Sequence, residues 1–419
     1  MNYDESVAWL YSTQEVGIKL GLESIRDLLA ALGLEAFLER PHPRRPVLFH
    51  IAGTNGKGSV CAMLDAICRA AGYRCGLFTS PHLVTYRERI RLNGVMIPEA
   101  EVARILTRIR GHVAGRSIPP TFFEITTALA LAWFAQEGAE VCVLETGLGG
   151  RLDSTNAVAP DVAVLTPISF DHHQYLGNTL EKIAGEKAGI IKPRTPVVSS
   201  RQFAPAARVI AEKAHGQAAP LCWAREPVAF PVALAGSHQR YNAALAISAL
   251  AAVSDRLPVR PEAIREGLQQ VSWPGRFQKI AENPTVILDG AHNEAAALRL
   301  VQTWEESAFE KRPVVVFGAL ADKDLPVICR SFAPLGPDFI LVPVRNPRSA
   351  TPEALAAVFH REVPEARPTL AGSLEEALAT ARARALEQER PILITGSFFL
   401  IGQAMALLEG GELEPVSRQ

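Results

Sequence analysis

The stretch VLFHIAGTNGKGSV, residues 47–60, decides the fold of this chain. Its first six residues are apolar except for one histidine, which predicts a buried strand, and they run directly into the turn GTNGKGS. Because Gly53, Gly56 and Gly58 tolerate positive φ, the backbone can curl and point several N–H groups at one spot. We expect a helix to begin near Ser59. A strand, a curled glycine turn and a helix in this order predict a phosphate-binding loop.

The same turn carries a charge and a hydroxyl that a bound nucleotide needs. Lys57 supplies a point charge for the β- and γ-phosphates, and the Ser59 hydroxyl can reach a magnesium ion. The pattern G-x-x-x-x-G-K-[ST] is not met in full, because Ile51 replaces its first glycine and Gly58 separates Lys57 from Ser59. The alternative is a plain surface turn with an exposed lysine. The strand–turn–helix context favours phosphate binding.

Composition limits the classes of protein to consider. The chain has 419 residues, of which 48% are apolar and 21% are charged, as expected for a globular protein of two domains. A formal net charge of −1 argues against nucleic acid as a partner. The longest uncharged apolar run, Ile125–Ala135, is shorter than the roughly 20 residues that cross a bilayer, so we expect no membrane partner. No signal peptide is evident, and the six cysteines form no C-x-x-C pair, which together predict a cytoplasmic protein without a zinc site.

Polar residues follow three further predicted strands, at residues 74–79, 140–144 and 162–167. They are Ser80, Glu145 and His172. Taken alone, Ser80 is typical of a Ser-Pro turn, and a single histidine is typical of a structural side chain. Because an α/β sheet collects its ligands at the carboxyl ends of its strands, the three together indicate a metal–nucleotide site.

Three residues of the N-terminal half allow two interpretations each. Thr121–Glu137 is apolar nearly all round, which predicts a packed helix, so the carboxylate of Glu124 is either paired or a functional anion at the helix start. Phe123 belongs either to the core or to a stacking surface at the start of this helix. Lys187, in the mostly apolar segment 180–190, is either a surface lysine with a buried stem or a charged group of the site.

Strands and helices alternate again after residue 284, which predicts a second α/β unit. Its first strand ends in Asp289 and His292, another polar cluster at the end of a strand. We therefore predict an α/β protein with an N-terminal phosphate-loop ATPase-like domain and a C-terminal doubly wound, mostly parallel domain. The domains are expected at residues 1–273 and 284–419, with a linker at 274–283. Residues 409–419 are expected to form a frayed tail.

These residues together resemble one family closely. They are similar to the Mur ligase superfamily and, within it, to folylpolyglutamate synthase/dihydrofolate synthase. The matching stretches span most of the chain: AGTNGKGS at 52–59, TSPHL at 79–83, FFE at 122–124, ETGLGGRLDSTN at 145–156, SFDH at 169–172, EKAGI at 186–190, GRFQ at 275–278, DGAHN at 289–293 and DKD at 322–324.

The resemblance implies a role for each matching position. Lys57, His172 and Lys187 are the implied catalytic residues, and Lys187 is implied to be carbamylated, which makes it an anion that binds metal. The implied ATP-binding residues are Asn55, Gly56, Lys57, Gly58, Ser59, Asn242, Arg276, Asp289 and His292. The implied ligands of two Mg²⁺ ions are Ser59, Ser80, Glu145, His172 and Lys187. The implied substrate-binding residues are Phe123, Glu124 and Asp153. His173 adjoins His172, so the choice between the two histidines rests on the motif.

The implied function is an ATP-dependent amide ligase that adds L-glutamate to a dihydropteroate or reduced-folate carboxylate through an acyl phosphate. The resemblance also implies both synthase activities and a monomeric enzyme. The alternative is another Mur-type amino-acid ligase. A generic phosphate-loop ATPase or kinase would explain residues 47–59 but leave residues 289–293 without a role. A non-catalytic nucleotide-binding module would be expected only if the set of metal-binding residues were incomplete.

Overall fold

The computed structural model describes residues 1–16, 21–39, 45–115, 119–411 and 413–414. Within this part of the chain, the backbone forms one sheet of eight strands and another of six, each packed between helices. The predicted α/β fold with two domains is therefore confirmed. No helix in the described ranges is both long enough and apolar enough to cross a membrane.

The N-terminal domain is built on the eight-stranded sheet. Its strands are β1 (Val47–Ala52), β2 (Cys75–Phe78), β3 (Ile90–Leu92), β4 (Val95–Met96), β5 (Val141–Glu145), β6 (Val162–Leu165), β7 (Val197–Ser200) and β8 (Leu221–Ala224). Their order across the sheet is β4-β3-β2-β5-β1-β6-β7-β8. Six of them run parallel, whereas β3 and β4 form an antiparallel edge on β2.

Helices cover both faces of this sheet. They are α1 (Tyr3–Ser12), α2 (Glu23–Ala31), α3 (Lys57–Ala70), α4 (Glu99–Val113), α5 (Phe122–Gln136), α6 (His173–Leu176), α7 (Leu180–Ala188), α8 (Ala204–Gly216), α9 (His238–Ala251) and α10 (Pro261–Gln270). Helices α3, α9 and α10 bury their apolar side chains against one face. Helices α1, α2, α4, α5, α7 and α8 cover the other face, so the parallel strands are buried on both sides.

The C-terminal domain repeats this arrangement with six strands. They are β9 (Gln278–Glu282), β10 (Thr285–Leu288), β11 (Val314–Phe317), β12 (Phe339–Leu341), β13 (Thr369–Leu370) and β14 (Ile392–Thr395), in the order β13-β12-β11-β14-β10-β9. The helices are α11 (Glu294–Glu306), α12 (Leu325–Phe332), α13 (Pro352–Glu362), α14 (Leu374–Gln388) and α15 (Phe398–Glu409). The first three pack on one face and the last two on the other, so the domain is doubly wound.

Four neighbouring parallel strands position the site. Strand β1 lies between β5 and β6, and β2 lies beyond β5, so the carboxyl ends of these strands share one edge. Ile51 pairs with Glu145, which aligns the start of the glycine turn with the end of β5. Parallel strands carry their loops to the same edge, and for this reason polar residues far apart in sequence meet there.

The structure corrects several local expectations. Helix α3 begins at Lys57, two residues before the expected Ser59, because Gly56 takes the N-cap position with φ of 88°. Part of the stretch expected as a linker is an ordered strand, β9, paired antiparallel with β10. The expectation of a frayed tail is wrong for residues 409–411 and 413–414, since the Glu414 carboxylate accepts hydrogen bonds from Tyr3 and Thr85; residues 412 and 415–419 lie outside the described residues.

Candidate active site

A cavity of about 750 Å³ opens between the two domains, and side chains of both line it. Every residue that the sequence predicts for the site lies on its wall, and the roles of these residues stay predictions. The N-terminal domain contributes Asn55, Gly56, Lys57, Gly58, Ser59, Ser80, Phe123, Glu124, Glu145, Asp153, His172, Lys187 and Asn242. The C-terminal domain contributes Arg276, Asp289 and His292.

The glycine turn forms a tight nest at the N-terminus of α3. Its Lys57 folds back and donates from Nζ to the carbonyl oxygens of Gly53 and Thr54, each at 3.2 Å. A side chain at Gly53 is impossible here, since a Cβ would lie 1.8 Å from Oγ1 of Thr166. The turn is therefore tightly folded and lies at the N-terminus of a 14-residue helix. The positive end of the helix dipole at this point favours the binding of an anion.

Glu145, at the end of β5, is a buried carboxylate with few partners. It is 4% exposed, and its Oε2 accepts from the backbone N of Ser80 at 3.2 Å. Burial raises the pKa of Glu145, and the charge of Lys57 opposes that shift. A bound cation would stabilise the ionised carboxylate further.

Lys187 is buried beside the phosphate loop. Its Nζ donates to the carbonyl oxygen of Gly53 at 2.8 Å, and the residue is 4% exposed. Burial, with the nearby charge of Lys57, lowers the pKa of Lys187 to about 7. A substantial fraction of this amine is therefore neutral near neutral pH, unlike that of a surface lysine.

Asp171, one residue before His172, joins the two domains. Lys323 of the C-terminal domain donates from Nζ to Oδ1 of Asp171 at 2.7 Å, and Asn293 donates to Oδ2 at 3.1 Å. Burial alone would raise the pKa of Asp171, but the contact with His292 and the charge of Lys323 hold it well below its usual range. Asp171 is therefore an ionised carboxylate in a mostly buried ion pair.

His172 itself stays open to the cavity. It adopts a left-handed backbone conformation with φ of 51°, and its side chain is 44% exposed. Burial, together with the charge of Lys323, outweighs the attraction of Asp171 and lowers its pKa to about 4, so the imidazole is neutral. Neutral imidazole is the form that binds a metal.

The C-terminal wall is held by Arg276, Asp289 and His292. The Arg276 guanidinium lies over the Phe398 ring, 4.8 Å from its centroid, and burial lowers its pKa. Asp289 accepts from the backbone N of Phe277 and of Ala291, each at 2.9 Å. Nδ1 of His292 lies 2.8 Å from the carbonyl oxygen of Gly290. These contacts fix three polar side chains on the side of the cavity facing the phosphate loop.

Three polar side chains hold one another beside the turn. Asn242 donates from Nδ2 to Oε1 of Gln239 at 2.9 Å, and Gln239 donates from Nε2 to Oγ of Ser59 at 3.4 Å. A Cβ at Gly56 would lie 2.9 Å from Oδ1 of Asn242, so only glycine fits below this amide. Gln239 was noted in the sequence beside Asn242, but no role was predicted for it, although it lies three residues before Asn242 on the same helix face.

The remaining predicted substrate residues also hold the local structure. Glu124 forms a capping box with Thr121 at the start of α5, with its Oε2 accepting from the backbone N of Thr121 at 2.7 Å. Asp153 accepts from the backbone N of Gly147 and of Leu148 at 2.9 and 2.8 Å, which folds the glycine-rich loop. The Phe123 ring packs against Gly147, where a Cβ would lie 2.6 Å from it.

The donor set fits a cation that prefers oxygen ligands. Within the described residues, no group of three or more His, Cys, Asp or Glu converges as a metal site. The wall instead offers the Ser59 and Ser80 hydroxyls and Glu145, whose Oε1 accepts no hydrogen bond from the described residues. A carboxylate oxygen on the cavity wall that accepts no hydrogen bond from the described residues suits Mg²⁺. An unmodified Lys187 ammonium does not fit as a ligand, because it would repel the ion.

Comparison with known proteins identifies the class first. The Mur ligase middle domain matches residues 51–198, and the Mur ligase glutamate ligase domain matches residues 275–398. The dihydrofolate synthase/folylpolyglutamate synthase of Bacillus subtilis (strain 168) is 39% identical over 359 residues, which cover 77% of this chain and 80% of that one. The chain belongs to the dihydrofolate synthase/folylpolyglutamate synthase family of Mur ligases and is an ATP-dependent acid–amino acid ligase.

Two solved structures match nearly the full length of this chain. A bifunctional folylpolyglutamate synthase/dihydrofolate synthase from Yersinia pestis c092, complexed with AMPPNP and Mn ion, has a TM-score of 0.86 at 33% identity and covers 98% of both chains. E. coli FolC in complex with DHPP and ADP has a TM-score of 0.84 at 34% identity and covers 97% of this chain and 98% of that one.

Proposed function

We propose that this chain adds L-glutamate to the carboxylate of dihydropteroate and of reduced folates, driven by ATP. The observation that carries the proposal is the cavity between the domains. It has a phosphate loop, a buried carboxylate without a full set of donors and an aromatic wall at Phe123. The complexes of the relatives with AMPPNP, with Mn ion and with DHPP support the same assignment for this chain.

ATP binds with its phosphates on residues 55–59. The N–H groups of the loop and the helix behind them stabilise the negative charge, and Lys57 moves from its carbonyl partners to the β- and γ-phosphates. The rest of the nucleotide is bound from both sides of the cavity, by Asn242 of the N-terminal domain and by Arg276, Asp289 and His292 of the C-terminal domain. Because these residues come from two domains, nucleotide binding draws the domains together.

Ser59, Ser80, Glu145, His172 and a carbamylated Lys187 would hold two Mg²⁺ ions. The positive charge at this position would screen the repulsion between the triphosphate and the substrate carboxylate. The carbamate forms when the neutral Lys187 amine attacks CO₂ and loses a proton. The lowered pKa of Lys187 supports this step, because only the neutral amine is a nucleophile.

The reaction has two steps. The acceptor carboxylate attacks the γ-phosphorus in line, its new P–O bond replaces the bond to ADP, and an acyl phosphate results. The amino group of L-glutamate then attacks the acyl carbon, loses a proton, and expels inorganic phosphate as the amide forms. Lys57 stabilises the charge on the transferring phosphoryl group. Phe123, Glu124 and Asp153 bind the pterin end of the acceptor and so aim its carboxylate at the phosphate loop.

The acyl phosphate needs a dry site, and closure of the two domains supplies it. We assign the hinge to the linker at Arg276, since β9 belongs to the C-terminal sheet directly after it. Single-molecule distances between dyes on the two domains test this. They shorten on addition of ATP and folate if the hinge operates, and unchanged distances exclude it.

The decisive experiment is ADP release by the purified protein with MgATP and L-glutamate. Dihydropteroate and a reduced folate are added in separate tubes, and omission of glutamate is the control. Release with both acceptors, dependent on glutamate, supports the proposal. Release with dihydropteroate alone restricts the enzyme to dihydrofolate synthesis, and release with neither rejects the proposal.

The proposal includes a monomeric, cytoplasmic enzyme. One chain supplies both walls of the cavity, which supports function as a monomer. Five of the cysteines are free and buried, as is common in a reducing compartment. Sedimentation at the enzyme's assay concentration tests the first point, and fractionation of cells that express the chain tests the second.

A further inference from the structure

Arg89 is a buried cation on the cavity wall to which the reaction above gives no role. It is 3% exposed, ends the short helix Tyr86–Arg89, and lines the cavity with Ser80 and Phe123. Its carbonyl oxygen accepts from the backbone N of Thr79 at 3.0 Å, so it sits beside the Ser80 turn. Its guanidinium lies 5.4 Å from the centroid of the Phe122 ring.

No carboxylate of the described residues forms an ion pair with Arg89. Its one side-chain hydrogen bond runs from Nε to Nδ1 of His82 at 2.8 Å. Because Nδ1 of His82 accepts this hydrogen bond, it carries no proton, so the ring is a neutral imidazole. The nearby Glu88 carboxylate accepts hydrogen bonds from the backbone N–H groups of Leu83, Val84 and Thr85 instead.

An arrangement of this kind is costly unless a ligand completes it. Glu88 and Glu145 attract the Arg89 charge only without direct contact. A buried charge with no carboxylate in contact is destabilising, and a guanidinium has five N–H donors, of which the described contacts occupy one. The two Nη groups match a carboxylate in a fork. His82 fixes the direction of this fork without neutralising it. The Arg89 site is therefore suited to an anionic group of a molecule in the cavity.

The two acceptors differ in one such group. Dihydropteroate has a single carboxylate, which reacts. A reduced folate ends in glutamate, so it carries an α-carboxylate in addition to the γ-carboxylate that reacts. The ATP phosphates are assigned to Lys57 and its loop. The incoming glutamate is assigned here to the C-terminal domain, because residues 275–398 match the Mur ligase glutamate ligase domain. Arg89 lies on the N-terminal wall, with Phe123, where the acceptor binds.

We propose that Arg89 binds the α-carboxylate of the terminal glutamate of a reduced folate and thereby determines the preference for folates over dihydropteroate. This rests on the function proposed above. The same contact recurs after each addition, because every new terminal glutamate again presents one α- and one γ-carboxylate. Arg89 is in these terms a specificity-determining residue for chain extension.

The test compares Arg89→Met with the wild type for two acceptors at saturating MgATP and L-glutamate. Methionine retains the packing on Phe122 and removes the charge. The ratio of kcat/KM for tetrahydrofolate to kcat/KM for dihydropteroate falls roughly 10- to 100-fold, mainly through a higher KM for tetrahydrofolate. Arg89→Lys restores part of the ratio. The matched control is Arg91→Met, which removes a cation that donates to the backbone carbonyl oxygen of Glu88 and lies over Trp273; its ratio stays at the wild-type value.

A second measurement separates binding from folding. Removing an unpaired buried charge leaves the Tm of the free protein equal to or above that of the wild type, whereas a structural role lowers it. Tetrahydrofolate without ATP raises the Tm of the wild type more than that of Arg89→Met. Equal losses with both acceptors, or no loss with either, overturn the inference about Arg89. A wild type that releases ADP with neither acceptor overturns the proposed function as well.

Discussion

Asn55 of the phosphate loop and Asn293 of the C-terminal domain exchange two hydrogen bonds between their side-chain amides, each 3.1 Å long. The Oδ1 atom of Asn293 also caps α11, where it accepts from the backbone N of Ala296 at 2.9 Å. The loop that is assigned to the ATP phosphates is thus tied to the start of a helix in the other domain. Any shift of one domain relative to the other therefore moves Asn293 relative to Asn55 of the phosphate loop.

The ion pair between Lys323 and Asp171 is expected to hold this closed arrangement. The two side chains are 13% and 9% exposed, so their attraction is weakly screened and an unpaired partner is costly. Lys323→Met retains most of the apolar stem and removes the ammonium, so Asp171 loses this charge and keeps its contacts with Asn293 and His292. We expect kcat/KM to fall roughly 100-fold and the domains to separate in single-molecule distance measurements.

The control for this variant is Lys311→Met. Lys311 pairs with Glu389 at 3.4 Å, but both side chains are at least half exposed, and such pairs contribute little. We expect wild-type activity and distances for it. If Lys323→Met keeps the wild-type distances, the ion pair does not control closure.

Much of the site followed from local sequence, and the contacts between domains did not. Ser80 and Glu145 were expected together because each follows a strand and parallel strands end at one edge. Lys323 and Asp171 are 152 positions apart, and no strand or helix period links them. Glu88-Arg89-Ile90, which follows TSPHL, belongs to the stretches that resemble the family, but no role was predicted for Arg89, because only its burial without a carboxylate partner distinguishes it from the neighbouring arginines.

Lys187→Ala is expected to lower turnover at least 100-fold, in the range found when one transition-state contact is removed. Added bicarbonate does not restore this variant, since alanine cannot form a carbamate. Lys192→Ala is the matched control. Burial also lowers the pKa of Lys192, to about 8, but its Nζ donates to the carbonyl oxygen of Asn156, away from the cavity. Near-normal turnover of Lys187→Ala would remove the carbamate from the mechanism.

Carbamate formation also predicts a pH dependence. The pKa of Lys187 is about 7 in the folded protein, below its ordinary value of 10.5, so the amine is mostly protonated at pH 6 and mostly neutral at pH 8. Only the neutral amine attacks CO₂. At equal concentrations of dissolved CO₂, enzyme freed of CO₂ is therefore expected to regain activity faster at pH 8 than at pH 6. A rate of recovery that does not rise between these pH values contradicts the assignment.

Gly58→Ala is expected to weaken ATP binding through a neighbour rather than through the loop conformation. A Cβ at Gly58 would lie 2.7 Å from Nε1 of Trp273, so the indole must move. Overpacking of this kind costs about 1–3 kcal/mol, or roughly 10- to 100-fold in the Kd measured by titration calorimetry. Replacing Trp273 by leucine in the same protein should recover part of the affinity.

Gly111→Ala is the control for that variant. Gly111 lies inside α4, and a Cβ there meets no atom within 4 Å among the described residues. Alanine at this position is expected to leave the Kd unchanged and to stabilise the protein slightly, because glycine weakens a helix. If both variants bind ATP as the wild type does, Trp273 has more room than its position beside the loop indicates.

Glu414 is expected to stabilise the whole protein from the end of the described chain. Its carboxylate accepts from the Tyr3 hydroxyl at 2.9 Å, from Oγ1 of Thr85 at 2.7 Å and from the backbone N of Tyr86 at 2.8 Å. Hydrogen bonds to a charged group contribute about 1.5–3 kcal/mol each and do not add fully. Glu414→Ala should therefore lower the Tm by several degrees in calorimetry. Glu409→Ala, at the exposed end of α15, is the matched control and should leave the Tm unchanged.

Two truncations separate the Glu414 carboxylate from the rest of the tail. A chain that ends at Glu414 keeps all three hydrogen bonds and should have the Tm of the wild type. A chain that ends at Gly411 loses them and should have the Tm of Glu414→Ala. Because these bonds reach α1 and the turn that follows Ser80, their loss loosens the cavity wall as well as the tail. A Gly411 truncation with the wild-type Tm would mean that Tyr3 and Thr85 are equally well satisfied by water.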